Sequence, residues 1–198
     1  MVAMVVVLRP GLPPTPPIDR YRFFQEHALE LPGAWRLSWI LWMVTTVAMF
    51  FFYISLHRAM ETGWRGWLAV VLALLGMGAD GMGDHLFLSE YPDTLNLLRY
   101  DDLDRETAFL SGGLANGAYT LAWILLLVRA PFPRGFLALA IPGVAGGLLL
   151  ALSGFAGWTP GLMAGTAVAI PAFTLWTGLV GRFFWKKSED AVTMSPHV

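Results

Sequence analysis

The residues best suited to chemistry in this sequence are two aspartates inside an apolar segment. Asp80 and Asp84 are four residues apart, so they lie on one face of a helix. A carboxylate near the centre of a membrane span costs about 2.5 to 3.5 kcal/mol, and such residues usually face the bundle interior or water. No lysine or arginine falls at the predicted depth of Asp80. We therefore expect Asp80 to be protonated at neutral pH or neutralised by a bound cation.

Polar residues of the neighbouring spans fall at the same predicted depth as these acids. Counting helical rise from the predicted outer ends of the spans places four side chains beside them: Thr45, Thr46, Asn116 and Ser111. Their hydroxyl and amide groups can donate hydrogen bonds to a carboxyl group. This polar layer predicts a proton or cation pathway centred on Asp80, with Asp84 as the outer relay. The alternative is a protonated Asp80 that only joins two helices by a hydrogen bond.

A metal site near the outer end of the second span is a further hypothesis. Asp84, His85 and Glu90 supply the oxygen and nitrogen ligands that zinc or iron accepts. The competing interpretation is a set of interfacial polar residues that face water. A haem held by two histidines is excluded, because His57 and His85 are predicted at opposite membrane faces.

Other chemistry finds little support in the sequence. Without cysteine there is no disulfide, thiolate nucleophile or cysteine-bound metal. No G-x-S-x-G, H-E-x-x-H or P-loop motif occurs. Ser111 precedes two glycines, but it has no histidine partner unless His85 turns toward it. The sequence thus disfavours an enzyme, although one near Asp84, His85 and Ser111 stays an alternative, and no cofactor is strongly implied.

The composition excludes an ordinary soluble domain. Of the 198 residues, 14% are charged and 56% are hydrophobic, whereas a soluble domain is about 25% charged. Mean hydropathy is +0.58. The net charge of −1 also lacks the basic surface that a nucleic-acid-binding protein needs. The chain is predicted to be an integral membrane protein.

Five apolar segments are long enough to cross a bilayer as helices. They cover about 37–56, 67–88, 107–128, 136–155 and 162–184. The predicted fold is all-α: a five-span transmembrane bundle (36–185) follows a proline-rich segment and an interfacial amphipathic helix (1–35, with the helix at 18–31), and a polar tail (186–198) ends the chain. Asp104 is predicted to cap the third span.

Arginines and lysines cluster in the loops on one side of these spans. Basic loops usually stay in the cytoplasm, so the sequence predicts a cytoplasmic (inner) membrane protein with its N-terminus outside and its C-terminus inside.

Small residues predict close helix contacts. Three GxxxG pairs occur in the last three spans: Gly113 and Gly117, Gly143 and Gly147, and Gly161 and Gly165. In the second span, the run GMGADGMGD (76–84) suggests either a smooth glycine face or an unwound segment that exposes carbonyl groups to an ion. Expected partners are the lipid bilayer and proteins, or further copies of the chain, that pack on glycine faces; nucleic acid is not expected.

The sequence contains many residues suited to helix packing and few suited to catalysis or ligand binding. This balance favours one of three possible functions. The leading hypothesis is an accessory or scaffolding subunit of a larger membrane complex. The alternatives are the proton or cation pathway or transporter at Asp80 and Asp84, and the membrane enzyme or metal site.

Overall fold

Five of the helices are long and apolar enough to cross a membrane. The structure is a computed structural model that describes residues 15–26, 31–94, 96–128 and 132–193. Within these ranges the chain is helical and contains no strand. The five candidate spans are Trp35–Met60, Gly63–Asp93, Leu97–Leu127, Arg134–Ala156 and Thr159–Lys187.

The described part of the chain contains seven α-helices and one π-helical segment, all of which except the first helix contribute to the spans. They are α1 (Pro17–Glu26), α2 (Leu31–Met60), α3 (Gly63–Asp93), α4 (Leu97–Thr107), the π segment (Ala108–Ala115), α5 (Asn116–Leu127), α6 (Arg134–Ala156) and α7 (Thr159–Thr193). The α4 helix, the π segment and α5 run on without a break as the third span.

The third span begins about ten residues earlier than predicted. Asn96 caps it, since the Asn96 side chain accepts a hydrogen bond from the backbone N–H of Leu98 at 3.0 Å. Asp104 lies inside α4, so the prediction that Asp104 caps the span is wrong. The reason is tertiary, because the Asp104 carboxylate is bound by Arg20.

The π segment widens the third span beside the centre of the bundle. Where it ends, the backbone N–H of Asn116 donates to the carbonyl of Ser111, five residues earlier. The side-chain amide of Asn116 donates to the same carbonyl at 2.5 Å. Such wide turns commonly occur at functional sites. Here the turn changes which side chains of this span face α3.

The predicted glycine pairs lie where helices touch. Cβ atoms added to the six glycines would each meet another side chain: Phe155 for Gly113, Ala151 for Gly117, Trp123 for Gly143, Thr120 for Gly147, Ser153 and Trp158 for Gly161, and Leu150 for Gly165. The closest backbone approaches belong to Gly146 and Gly154. A Cβ on Gly146 would lie 2.7 Å from the Ala169 nitrogen, and Gly154 abuts the Gly113 backbone.

The glycine-rich run of α3 keeps a regular helical form. The unwound alternative is therefore wrong for this segment. Gly76 and Gly83 face Tyr119 and Ser111 inside the bundle, whereas a Cβ added to Gly78 or Gly81 would point into open space.

The α1 helix packs on the end of the bundle where α3 ends and α4 begins. Phe24 contacts Trp35 edge to face, with ring centres 4.9 Å apart. The predicted apolar face included Ile18, which is exposed, and the buried side chains are instead Arg20 and Phe24. The helix ends at Glu26, so the rest of its predicted extent at 27–30 lies outside the described residues.

Candidate functional site

Asp80 and Asp84 both point into the bundle from α3. Their exposed fractions are 6% and 1%. The same face of α3 carries small buried residues, namely Ala69, Ala73, Gly76 and Gly83. Small residues allow neighbouring backbones to approach closely. The two acids therefore lie within a tight helix contact and not on the outer surface of the bundle.

Thr46 of α2 holds the Asp80 carboxylate. Its buried hydroxyl donates a hydrogen bond to Asp80 Oδ2 at 3.0 Å. The side chains of Trp42 and Ser111 also lie close to this carboxylate. Asp80 is thus contacted from α2 on one side and from the π segment on the other.

Near the two acids, three buried polar atoms have no hydrogen-bond partner among the described residues. They are Asp84 Oδ2, Ser111 Oγ and Tyr119 Oη. Tyr119 interacts electrostatically with both acids. A buried polar group without a partner costs about 1 to 3 kcal/mol, so these atoms give the cluster a spare capacity to bind a proton or a cation.

Two glycines bring the hydroxyl groups to the acids. A Cβ on Gly83 would collide with Ser111 Oγ, and a Cβ on Gly76 would lie 2.8 Å from the Tyr119 ring. Larger residues at either position would push the third span away from α3. The glycine spacing on α3 thus determines how near Ser111 and Tyr119 come to the carboxylates.

Neither acid has a basic partner among the residues that the structure describes. The ion pairs found there join Arg20 to Asp104, Arg22 to Asp19, and Arg99 to both Glu90 and Glu106. None of these arginines reaches Asp80 or Asp84. The cluster can therefore carry negative charge that a small cation or a proton would neutralise.

Two members of the predicted polar layer do not contact the acids. Thr45 is exposed and donates to the carbonyl of Leu41 at 3.0 Å. Successive helical residues point about 100° apart, so Thr46 and Thr45 cannot both face α3. The side chain of Asn116 is occupied by the Ser111 carbonyl, because the π segment turns it back on its own span.

The proposed metal ligands do not come together. Asp84 is buried while the adjacent His85 is exposed, since neighbouring helical residues leave the axis in different directions. Glu90 is bound by Arg99 at 2.6 Å. Across the described ranges, no group of three or more histidines, aspartates or glutamates could hold a metal ion.

Two residues near the acids were missed by the sequence reasoning. Trp42 lies four residues before Thr46, and Tyr119 lies three residues after Asn116. Helical spacing alone could have found Trp42, because residues four apart share a face. Tyr119 could not be found in this way, since the π segment shifts which residues of the third span face α3.

A second polar cluster joins α1 to the end of the bundle. The guanidinium of Arg20, which is 1% exposed, donates to both carboxylate oxygens of Asp104 at 2.6 and 2.7 Å. Tyr91 donates to Asp104 at 2.6 Å, and Arg20 lies 5.1 Å from the Tyr100 ring centre. Burial by itself lowers the pKa of Arg20, but the hydrogen bonds and charge of Asp104 raise it above its ordinary value. Arg20 therefore stays charged while buried.

Comparison of the chain with protein-family models, curated proteins and solved structures finds no match.

Proposed function

We propose that the chain is an integral membrane protein that binds and transfers a proton or a small cation at Asp80 and Asp84. The observation that carries this proposal is the spare hydrogen-bonding capacity of Asp84 Oδ2, Ser111 Oγ and Tyr119 Oη beside two acids without a basic partner among the described residues. Charged or polar groups at membrane depth are costly and are commonly functional.

The two acids would act in sequence. Asp80 is held in place by Thr46, and Asp84 lies one helical turn, about 6 Å, nearer the end of the bundle that carries Arg20. A hydroxyl group can both donate and accept a hydrogen bond, so Ser111 and Tyr119 could pass a proton between carboxylates. Two neighbouring carboxylates also resist simultaneous ionisation, which favours one bound proton or cation.

The test is ion flux into vesicles that contain the purified chain. Proteoliposomes with a trapped pH dye receive a potassium diffusion potential, and internal pH is followed with and without external sodium. We expect Asp80→Asn to lower flux to that of protein-free vesicles. Asp93→Asn is the matched control, because Asp93 is an exposed carboxylate on the same helix. It should keep the flux of the unmodified chain.

Repeating the flux assay in different salts identifies the transported ion. Dye response in choline buffer indicates protons, whereas uptake of radioactive sodium or rubidium indicates a cation. Unchanged transport by Asp80→Asn in every arm would contradict the proposal, as would the absence of any flux from the unmodified chain.

An accessory subunit is the second candidate, and an open groove supports it. The groove has a volume of about 580 Å³ and is lined by Gly78, Gly81, Met82, His85, Leu86, Glu106, Phe109 and Leu110. Gly78 and Gly81 present a smooth surface on which another helix could pack.

The test of this role is copurification in mild detergent. A stoichiometric partner should copurify with the unmodified chain and should not copurify with the Met82→Trp variant. Met163→Trp is the control at an exposed site on α7; equal retention by both variants would contradict this role.

A further inference from the structure

A groove with an apolar floor and a basic rim lies between the start of α6 and the end of α7. Its volume is about 470 Å³, and its lining residues are Phe136, Leu179, Arg182, Phe183, Lys186 and Lys187. It opens at the end of the bundle where the basic loops predict the cytoplasmic face. The groove is separate from the acid cluster, because Asp80 and Asp84 lie on α3 whereas the groove lies between α6 and α7.

Along α7 the lining of the groove begins with an apolar residue and ends with two lysines. Leu179 is followed at helical spacing by Arg182 and Lys186, and Phe183 is followed by Lys187. Leu179 therefore lies deepest in the span, Arg182 and Phe183 follow, and Lys186 and Lys187 lie nearest its end. A phospholipid has the same order, with acyl chains below a charged headgroup.

Packed aromatic rings form the wall of the groove. Phe183 contacts Phe136 and Phe132, in both cases with ring centres 5.8 Å apart. Phe132 and Phe136 are themselves stacked at 5.7 Å. The contact of Phe136 with Phe183 joins α6 to α7, so this wall is part of the packed bundle.

The three cations have no acidic partner among the side chains that the structure describes. All ion pairs found there lie at the opposite end of the bundle, on α1, α3 and α4. Arg182, Lys186 and Lys187 are exposed at the rim. Their charge lies on the rim, where an anion at the membrane surface would meet it.

We propose that this groove binds an anionic phospholipid, with the phosphate on Arg182 and Lys186 and an acyl chain along Phe136 and Leu179. Basic pockets between membrane helices on the cytoplasmic side recognise anionic headgroups. A soluble phosphate would use the cations alone and leave the apolar floor unfilled. A zwitterionic lipid carries its own cation, which the rim repels. This proposal needs the membrane location but not the ion pathway.

The experiment measures lipid retention by the full chain. Purified protein in detergent is titrated with phosphatidylglycerol or phosphatidylcholine of matched acyl chains, and bound lipid is counted by native mass spectrometry. We expect a preference for phosphatidylglycerol in the unmodified chain. The double variant Arg182→Gln/Lys186→Gln should weaken phosphatidylglycerol binding roughly 25-fold, about fivefold for each cation removed.

A second double variant separates the groove from general charge attraction. Arg58→Gln/Arg65→Gln removes the same charge at the same end of the bundle and should leave affinity for phosphatidylglycerol unchanged. Inorganic phosphate in excess should not displace the bound lipid. Equal losses in both double variants would overturn the proposal, as would equal binding of the two lipids or displacement by phosphate alone. Thermal unfolding of each variant shows whether the α6 and α7 contact has been kept.

Discussion

At the scale of single residues, the distinction that matters is between polar groups that have partners and those that do not. Thr46 donates a hydrogen bond to Asp80, so it positions the acid. Within the described part of the chain, the Tyr119 hydroxyl and Ser111 Oγ have no partner although both are near the carboxylates. Variants that remove these groups one at a time should therefore distinguish residues that stabilise the fold from residues that transfer the ion. The first kind of variant should change stability, and the second should change flux.

Removing the Tyr119 hydroxyl should lower flux without lowering stability. Tyr119→Phe deletes an oxygen that makes no hydrogen bond to the described residues and keeps the ring that packs on Gly76. Because an unpartnered buried hydroxyl costs stability, we expect an equal or higher melting temperature in detergent together with a lower ion flux. Thr46→Val should instead lower stability by about 0.6 kcal/mol, the average for a hydrogen bond between membrane helices. If Tyr119→Phe lowers stability and leaves flux intact, Tyr119 is a packing residue only.

The glycines of α3 provide a second test of how the cluster is held. Gly83→Ala places a methyl group against Ser111 Oγ, whereas Gly81→Ala points into open space. We expect Gly83→Ala to lower the free energy of unfolding by about 1 to 3 kcal/mol and to reduce flux. Gly81→Ala should change neither. Both variants are measured by thermal unfolding and in the vesicle assay, and equal behaviour would show that the approach of Ser111 to α3 is unimportant.

At the scale of helices, the structure links elements through groups that lie far apart in the sequence. The π segment decides which residues of the third span face α3, and α1 is fixed to α4 by the pair Arg20 and Asp104. This pair is a bidentate ion pair between buried Arg20 and partly exposed Asp104, with an added hydrogen bond from Tyr91. Breaking one side of such a pair is more destabilising than losing an exposed one.

Loss of Arg20 should release α1 from the bundle. Arg20→Met leaves Asp104 without its cation, and we expect the docking of α1 to weaken by about 3 kcal/mol. Hydrogen exchange across residues 17–26 measures this change directly. Arg22→Met is the control, because Arg22 is exposed and lies 3.8 Å from Asp19; it should cost less than about 0.5 kcal/mol. Exchange that is equally slow in both variants would mean that the aromatic contact of Phe24 holds α1 alone.

At the scale of the whole molecule, the two proposed sites lie at different depths of the bundle and differ in charge. The acids are buried inside the bundle, and the basic groove opens at one end. Exposed apolar side chains cover the outside of the five candidate spans, among them Leu41, Leu75, Ile141, Leu152 and Leu175. Such a surface suits contact with lipid tails. The direction in which the bundle would cross a membrane then decides which side each proposed site would face.

Labelling of introduced cysteines should reveal that direction. The chain has no cysteine of its own, so each introduced thiol is the only target. Glu61 and Asp102 are both exposed. Glu61 lies just before α3 and Asp102 lies in α4, just after α3, so the two residues are at opposite ends of the bundle. We expect a membrane-impermeant maleimide to label Asp102→Cys in intact cells and Glu61→Cys only after lysis. The reverse pattern would place the basic groove outside and contradict the predicted orientation.

The sequence was sufficient to determine the helical class and the number of apolar spans. Both follow from local properties, because span length and hydropathy are sums over neighbouring residues. It also drew attention to Asp80, Asp84 and the GxxxG pairs, since a charge or a glycine in an apolar run is visible without knowledge of its neighbours.

Only the tertiary structure decided which polar groups meet. In the structure, Thr45 faces outward and the Asn116 side chain donates to its own span. Arg20 is buried against Asp104, and Tyr119 lies near the acids. Depth along a span can be counted from the sequence, but the rotation of each helix about its axis cannot. That rotation is set by packing against the other helices, and in the third span the π segment shifts it further.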